Sequence, residues 1–196
     1  MKRICIAVIL FCSAAGYPGN LPAEKARGIF LSVGVGPRLP VSTFSNQSDL
    51  GYGFNLEVSY TDNEYLPFFI YAKAGFEQYP GSPEFYQTSD HNNLSTTIFP
   101  VVMGARYYFP PVMENVVLFI PIVEASLAYS YISRVHQFKP SSEKNNYTEE
   151  LSELGFNVGV GLSMFLVELT LNYNYFKTVQ FVGFDVKVRL PLFVNY

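Results

Sequence analysis

The side chains that could do chemistry in this sequence are nine charged residues within strongly alternating segments and two histidines outside them. The nine are five acids and four bases: Glu57, Lys73, Glu77, Arg106, Glu124, Glu168, Asp185, Lys187 and Arg189. Each has the parity opposite to the apolar residues of its segment, so the charges share one face of a strand. Because unpaired buried charges are costly, this face predicts an interior of structural ion pairs. We expect Glu57 to pair with Lys73 across neighbouring strands. We likewise expect Arg106 to pair with Glu124.

The two histidines, His91 and His136, lie in segments that the sequence predicts to be loops. A His-based site that modifies lipids could use Ser133 beside His136, or Ser89 and Asp90 beside His91. Neither histidine has a His-x-Ser spacing or a partner at metal-ligand spacing, and the Gly-rich segments lack the features of a phosphate-binding loop. The sequence therefore favours solvated loop histidines and predicts no enzyme, no catalytic residue, no cofactor and no metal site.

Segments in which apolar and polar residues alternate with period two must position these side chains. The clearest is Leu154 to Thr178, LGFNVGVGLSMFLVELTLNYNYFKT. Its apolar residues have even numbers in the first half and odd numbers in the second, with the change near Phe165 and Leu166. A two-residue hairpin turn produces this change of parity, although no Gly, Asn or Asp marks the turn. The segment therefore predicts two antiparallel strands.

The same alternation predicts six further strands, which brings the total to eight. Their predicted ranges are 28–36, 51–61, 67–79, 95–109, 116–131 and 180–193. Pro100 and Pro121 lie inside the fourth and fifth of these eight strands, counted along the chain. Each removes a donor from the hydrogen-bond ladder, so we expect β-bulges at these positions.

Three patterns favour a membrane barrel over a soluble, lipocalin-like one. Predicted loops alternate between long and short, with long loops at 37–50, 80–94 and 132–153, as in transmembrane barrels. Charged residues make up only 15% of the chain, against about 25% in an ordinary soluble domain. The polar face is rich in Gly, Ser, Thr and Asn, which fit the narrow interior of an eight-stranded barrel. We therefore predict an all-β fold, an eight-stranded antiparallel up-and-down transmembrane β-barrel, with its apolar face in lipid.

The chain begins with features of a secretory signal peptide. Residues 1–16 carry two basic residues, an apolar run and then small residues, so we expect cleavage near residue 16. A short polar lead-in at 17–27 and the barrel at 28–196 follow. Removing Lys2 and Arg3 from the 13 basic residues leaves 11 against 16 acids. This acidic balance disfavours nucleic acid as a partner.

The signal peptide, strands such as GYGFNLEVSY and VELTLNYNY, and the aromatic last residue Tyr196 give the chain a family resemblance. It resembles the OmpA-like and OmpX-like outer-membrane β-barrels of diderm bacteria, although Pro191 departs from the usual final strand. The resemblance implies residence among outer-membrane lipids. It also implies that Tyr196 is the C-terminal signal recognised by the barrel-assembly machinery.

We expect a structural or surface-interaction role for this protein, with a lumen plugged by charged and polar side chains. An extracellular ligand could bind the long loops 37–50, 80–94 and 132–153, since loops on a rigid scaffold often carry binding functions. Two alternatives remain at this point: an outer-membrane enzyme that modifies lipids, and a narrow channel or carrier of hydrophobic ligands.

Overall fold

The computed structural model of this chain describes residues 27–62, 66–112, 119–142 and 144–195. The predicted signal peptide at 1–16, the lead-in apart from Arg27, and Tyr196 lie outside the described residues. No helix among the described residues is long and apolar enough to cross a membrane.

Eight antiparallel strands form the fold, and each pairs with its neighbours in chain order until β8 pairs with β1 and closes the barrel. The strands are β1 (Arg27–Pro40), β2 (Gly51–Asp62), β3 (Leu66–Pro80), β4 (His91–Tyr108), β5 (Ile120–Phe138), β6 (Tyr147–Met164), β7 (Val167–Tyr175) and β8 (Gln180–Asn195). Two short helices lie between strands, a 3-10 helix (Ser42–Asn46) and α1 (Pro83–Thr88). The predicted eight-stranded up-and-down barrel is confirmed.

The apolar face of the wall points outward and the polar face points into the lumen. Val158 of β6 is 45% exposed and Val186 of β8 is 40% exposed, whereas Glu57 and Arg106 are 0% exposed. Because the side chains of a strand alternate between its two faces, one parity decides the direction of every residue in the strand. A barrel with this arrangement has an exterior suited to lipid and an interior filled by polar side chains.

The outward apolar residues form a continuous band around the barrel, which we call the apolar band. It ends at Phe99 in β4, Tyr131 in β5 and Leu154 in β6, although all three strands continue further. Beyond it their outward residues are mostly polar: Asn93, Ser95, Thr97, Ser133, Gln137, Thr148, Glu150 and Ser152. We call this part of β4, β5 and β6 the extracellular extension, because it continues the strands past the apolar band at the end that the sequence predicts to carry the extracellular loops.

The predicted long loop at 132–153 is wrong for most of its length. Pairing between β5 and β6 continues to His136 opposite Tyr147, so only 139–146 connect the two strands. The error has a physical cause. Above the lipid both faces of a strand can be polar, so the alternation that identifies strands fades there. The charged residues that indicated a loop are partly cross-strand pairs, such as Arg134 with Glu149.

Other predicted boundaries also move. β1 continues to Pro40 and β4 begins at His91, which shortens the predicted loops at 37–50 and 80–94. β4 ends at Tyr108 and β5 begins at Ile120. Residues 113–118 between them, which include the predicted start of the fifth strand at 116, lie outside the described residues.

No bulge accommodates Pro100 or Pro121, so that expectation is wrong. The β3–β4 register is the same on both sides of Pro100, and Gly75 stands opposite it. A Cβ on Gly75 would lie 3.2 Å from the Pro100 Cγ, so the missing side chain leaves room for the ring. Pro121 is the second residue of β5 and pairs in register with Leu162. The β1–β8 ladder does shift register, beside Pro191.

Candidate functional site

The lumen is the part of the molecule where the most chemically capable side chains meet. All nine charged residues singled out from the sequence are buried there, and Arg38 of β1 joins them. The lumen therefore holds five carboxylates and five cations among the described strands. Their formal charges cancel, and all of them except Lys73 separate into two clusters along the barrel axis.

The central ion cluster is built around Arg106 of β4, whose guanidinium contacts glutamates on three other strands. Its Nη1 lies 2.7 Å from Glu57 Oε1, and its Nη2 lies 2.6 Å from Glu124 Oε2. Nη1 also lies 3.2 Å from Glu168 Oε2. The guanidinium stands over the Tyr71 ring at 4.8 Å from its centroid. One cation thus compensates three buried carboxylates, each of which would be costly without it.

Two further cations complete the central ion cluster. Lys187 Nζ donates to Glu57 Oε2 at 3.2 Å, and Arg189 Nη1 lies 2.9 Å from Glu168 Oε1. The Tyr108 hydroxyl donates to that same Glu168 oxygen at 2.7 Å. Three cations and three carboxylates therefore share one connected, nearly dry network. Such networks are strong only when their members are satisfied together.

Glu57 and Lys73 face each other in the β2–β3 register. The Glu57 carboxylate nevertheless turns to Arg106 and Lys187, and among the described residues no carboxylate lies within 4.0 Å of Lys73 Nζ. Arg106 and Glu124 are also register partners, on β4 and β5, and their side chains do meet. Register places the residues side by side, but the reach of long side chains decides which charges touch.

The upper ion cluster lies nearer the extracellular extension and joins Arg38, Glu77 and Asp185. Arg38 Nε lies 3.0 Å from Glu77 Oε1, and its Nη2 lies 2.7 Å from Asp185 Oδ1. The sequence does not identify Arg38 as a lumen residue, because Pro37 indicates the start of a loop. The signal was present, since Arg38 continues the inward parity of Gly34 and Gly36.

Apolar side chains fill the lumen above the upper ion cluster, and we call them the apolar cap. Phe44 from the 3-10 helix packs edge-on against Tyr79 with ring centroids 5.0 Å apart, and Tyr79 packs against Phe181 at 5.7 Å. The Tyr79 hydroxyl donates to Glu77 Oε2 at 3.1 Å, which joins the cap to the ions below. The remaining members are Ile98, Ile132, Phe176 and Val179.

Aromatic rings surround a cation at the opposite end of the lumen. The Arg189 guanidinium lies 5.0 Å from the Phe30 ring centroid, 4.8 Å from that of Phe69 and 5.0 Å from that of Tyr108. Cation–π contacts of this kind are worth more when the cation is desolvated. Arg189 is buried and also holds Glu168, so these rings and the central ion cluster form one packed unit.

The extracellular extension brings the two histidines together, although the sequence placed them in separate loops. His91 Nε2 lies 3.2 Å from His136 Nδ1, and Ser89 Oγ lies 3.3 Å from His91 Nδ1. Ser133 pairs in register with Glu150 instead. Among the described residues, no group of three or more His, Cys, Asp or Glu side chains could hold a metal ion. Sequence spacing carries no sign of the histidine contact, because it depends on how far β4 and β5 pair above the lipid.

No protein-family model and no curated protein matches the sequence. Among solved structures, the barrel is similar to Neisserial surface protein A, with 16% identity, a TM-score of 0.51, and coverage of 85% of this chain and 99% of that chain. It is also similar to the attachment invasion locus protein of Yersinia pestis in complex with the heparin analogue sucrose octasulfate (12% identity, TM-score 0.46, coverage 85% and 99%). A third similar structure is the N-terminal β-barrel domain of Pseudomonas aeruginosa OprF (13% identity, TM-score 0.42, coverage 85% and 100%).

The identities are too low to transfer a function, so these comparisons bear on architecture. A closed ring of eight antiparallel strands, apolar outside and charged inside, is the feature that the sequence pattern predicts and the structure contains. The chain therefore has the fold of the small eight-stranded outer-membrane β-barrels.

Proposed function

We propose that this protein is an outer-membrane β-barrel of a diderm bacterium with a structural or surface-interaction role and a plugged lumen. The observation that carries the proposal is the orientation of the side chains on the barrel wall. Valine, leucine and aromatic side chains face out, and ten charged side chains face into the lumen. Water cannot favourably solvate such an exterior, whereas lipid can. Export by a signal peptide at 1–16, and recognition of Tyr196 by the barrel-assembly machinery, belong to this proposal.

Side chains along the whole barrel axis support a plugged lumen. The apolar cap lies at the extracellular end, the two ion clusters lie below it, and the aromatic rings around Arg189 lie at the periplasmic end. Opening a path for ions would separate paired charges in a buried environment, which is expensive. The proposal therefore favours a plug over the alternative of a narrow channel or a carrier.

Planar-bilayer recording on the purified, refolded protein tests the plug. We expect no steady conductance, because ion pairs and packed rings occupy the axis. Steady open pores in wild-type protein would contradict it. A matched variant, Phe44→Ala together with Phe181→Ala, removes part of the apolar cap while leaving the ions in place.

Fractionation and heat-modifiable gel migration test the location: an outer-membrane barrel sediments with membranes and shifts on boiling.

The surface-interaction role rests on the extracellular extension and on the connections beside it. Three strands rise past the apolar band with polar outward residues, together with α1 and the connections 41–50, 81–90 and 139–146. α1 and the three connections lie within the segments 37–50, 80–94 and 132–153 that we proposed for an extracellular ligand. This role is tested by comparing how much extracellular ligand is bound by two kinds of cells. One expresses the intact barrel, and the other expresses a barrel whose 139–146 connection is replaced by a short Gly-Ser turn.

The second candidate function is a lipid-modifying enzyme. The observation that favours it is the contact between Ser89 Oγ and His91 Nδ1, with Glu149 beside His136. These groups lie beyond the apolar band, away from the acyl chains. Alanine at both histidines, read out by mass spectrometry of lipid A from expressing cells, tests it: a lipid change that depends on His91 and His136 supports the enzyme. An unchanged lipid profile supports the non-enzymatic role.

A further inference from the structure

The outer rim of the barrel carries a pair of histidines whose ring nitrogens face each other. His91 begins β4 and His136 lies near the end of β5, so their meeting depends on pairing within the extracellular extension. His91 Nε2 and His136 Nδ1 are 3.2 Å apart. They are the two histidines of the whole sequence. Both imidazole rings of the chain therefore lie together at one point on the outer rim.

The nitrogens that point away from the pair each lie near an oxygen. His91 Nδ1 lies 3.3 Å from Ser89 Oγ, and His136 Nε2 lies 3.5 Å from Glu149 Oε2, which is within ion-pair distance although these two atoms form no hydrogen bond. A metal-binding histidine characteristically donates its outer N–H to an oxygen acceptor, a carboxylate above all, which leaves the other nitrogen free as a ligand. With protons on both outer nitrogens, the two inner nitrogens present lone pairs to each other. A cation between them would turn that repulsion into two bonds.

The distance between the inner nitrogens suits a shared metal ion. Metal–imidazole bonds are about 2.0–2.1 Å long, and two of them at angles between 90° and tetrahedral separate the nitrogens by about 2.8–3.4 Å. The observed 3.2 Å falls within that interval. A direct N–H to N hydrogen bond also spans this distance, so the experiment must separate the two arrangements.

Packing holds both imidazoles in place without a metal. His136 stacks on Tyr147 with centroids 4.5 Å apart and an interplanar angle of 9°. His91 lies 4.5 Å from the Phe138 ring centroid and 4.9 Å from that of Phe85. A site held in position in advance loses less entropy when it binds.

The surroundings leave room to complete a coordination shell. Both histidines line an open cleft of about 540 Å³, and the side chains of Gln47 and Asn145 line the same cleft. Water or these amide oxygens could occupy the remaining positions. Lys144 also lines the cleft, but its ammonium lies 2.8 Å from Asp90 Oδ2, so its charge is partly compensated.

We propose that His91 and His136 form a surface site for one divalent transition-metal ion of the class that prefers imidazole, namely Cu²⁺, Ni²⁺ or Zn²⁺. Ser89 and Glu149 are positioning residues that hold the two rings. The site does not involve the plugged lumen, and it lies within the segments 80–94 and 132–153 that we propose for an extracellular ligand. It adds a metal-dependent property to the outer rim of the barrel.

Cu²⁺ titration of the refolded full chain in phospholipid nanodiscs, followed by electron paramagnetic resonance, tests the site. We expect one Cu²⁺ per chain with hyperfine coupling to two imidazole nitrogens. His91→Ala and His136→Ala should each weaken binding by at least tenfold. Glu149→Gln should weaken it by about tenfold, the lower end of the effect of removing a group that orients a metal-binding histidine. Zn²⁺ calorimetry should show the same order of affinities.

The matched control is Gln137→Ala, which changes the neighbouring outward residue of β5 and should leave binding unchanged. The double variant His91→Ala/His136→Ala defines background binding by the rest of the chain, and its gel shift on boiling shows that it still folds. Wild-type protein that binds Cu²⁺ no more tightly than this double variant would overturn the proposal. So would a wild-type spectrum with no imidazole coupling, which would leave the direct hydrogen bond between the rings.

Discussion

Arg106 occupies an unusual position for a single side chain, because its contacts connect strands that are not neighbours. It lies on β4, and its carboxylate partners lie on β2, β5 and β7. Backbone ladders join only adjacent strands, so this guanidinium adds a connection across the lumen. Its planar fork suits several carboxylates at once, which a lysine ammonium would match less well. We therefore regard Arg106 as the centre of the plug.

Arg106→Met should lower the free energy of unfolding by about 3–5 kcal/mol, the cost of breaking a buried ion pair by removing one partner. Methionine retains much of the volume, so the loss reports charge rather than a cavity. The expected cause is that Glu57, Glu124 and Glu168 lose their shared cation. Urea unfolding of the barrel refolded in phospholipid vesicles measures the change.

Lys144→Met is the control for this experiment, because its ion pair with Asp90 is exposed on both sides. It should leave the unfolding curve unchanged. Adding Glu124→Gln to the Arg106 variant should restore part of the stability, since the carboxylate of Glu124 has Arg106 as its nearest cation and is left poorly compensated without it. An Arg106 variant that unfolds at the wild-type urea concentration would show that the central ion cluster does not hold the barrel together.

In the β6–β7 hairpin, strand pairing imposes a turn on a residue whose side chain disfavours the backbone conformation that the turn requires. The strands pair in register from Phe156 and Tyr175 to Met164 and Val167, which leaves two residues for the turn. Phe165 adopts a φ of 54° and is 89% exposed. This left-handed conformation costs a residue with a Cβ roughly 1–2 kcal/mol. The ladder on both sides compensates for it.

Phe165→Gly should therefore stabilise the barrel by about 1 kcal/mol, because glycine adopts a positive φ without steric cost. Little packing is lost, since the ring is exposed. The urea midpoint of the refolded protein measures the gain. Leu166→Gly is the matched control: Leu166 is not among the described residues with positive φ, so glycine there should only destabilise. Equal losses for the two variants would contradict the explanation by turn strain.

The whole molecule has two solvents, lipid around the apolar band and water around the extracellular extension. Met103 and Thr97 lie on the same outward face of β4, but on different sides of the boundary at Phe99. Met103 is 65% exposed in the band, and Thr97 belongs to the polar outward series. The cost of a charge should therefore depend on where along this one strand it is placed.

Met103→Arg should destabilise the barrel by about 2–4 kcal/mol, the cost of an arginine that faces lipid near the midplane. Thr97→Arg should cost about 0–1 kcal/mol, as expected at or beyond the interface. Unfolding in vesicles measures both variants under the same conditions. Equal costs would mean that the apolar band does not mark the lipid, and would count against the proposed location.

The sequence by itself determined the number of strands and the face on which each residue lies. Val158, Val186, Glu57 and Arg106 all point in the direction that their parity predicts. The reason is that lipid outside and a narrow polar lumen inside impose one alternating pattern on every span. At Pro100 the sequence predicts a β-bulge that the structure does not contain. The sequence alone could not show that Gly75 lies opposite Pro100 and leaves room for its ring.

Only the tertiary structure decided which groups meet. Glu57 turns from its register neighbour Lys73 to Arg106, because long side chains in a narrow lumen reach strands that are not adjacent. The contact between His91 and His136 was likewise hidden, since above the lipid both faces of a strand may be polar and periodicity no longer marks where strands end. The alternation of apolar and polar residues determines which face of the wall a side chain is on. The partners of that side chain depend on the distances between strands in the closed barrel.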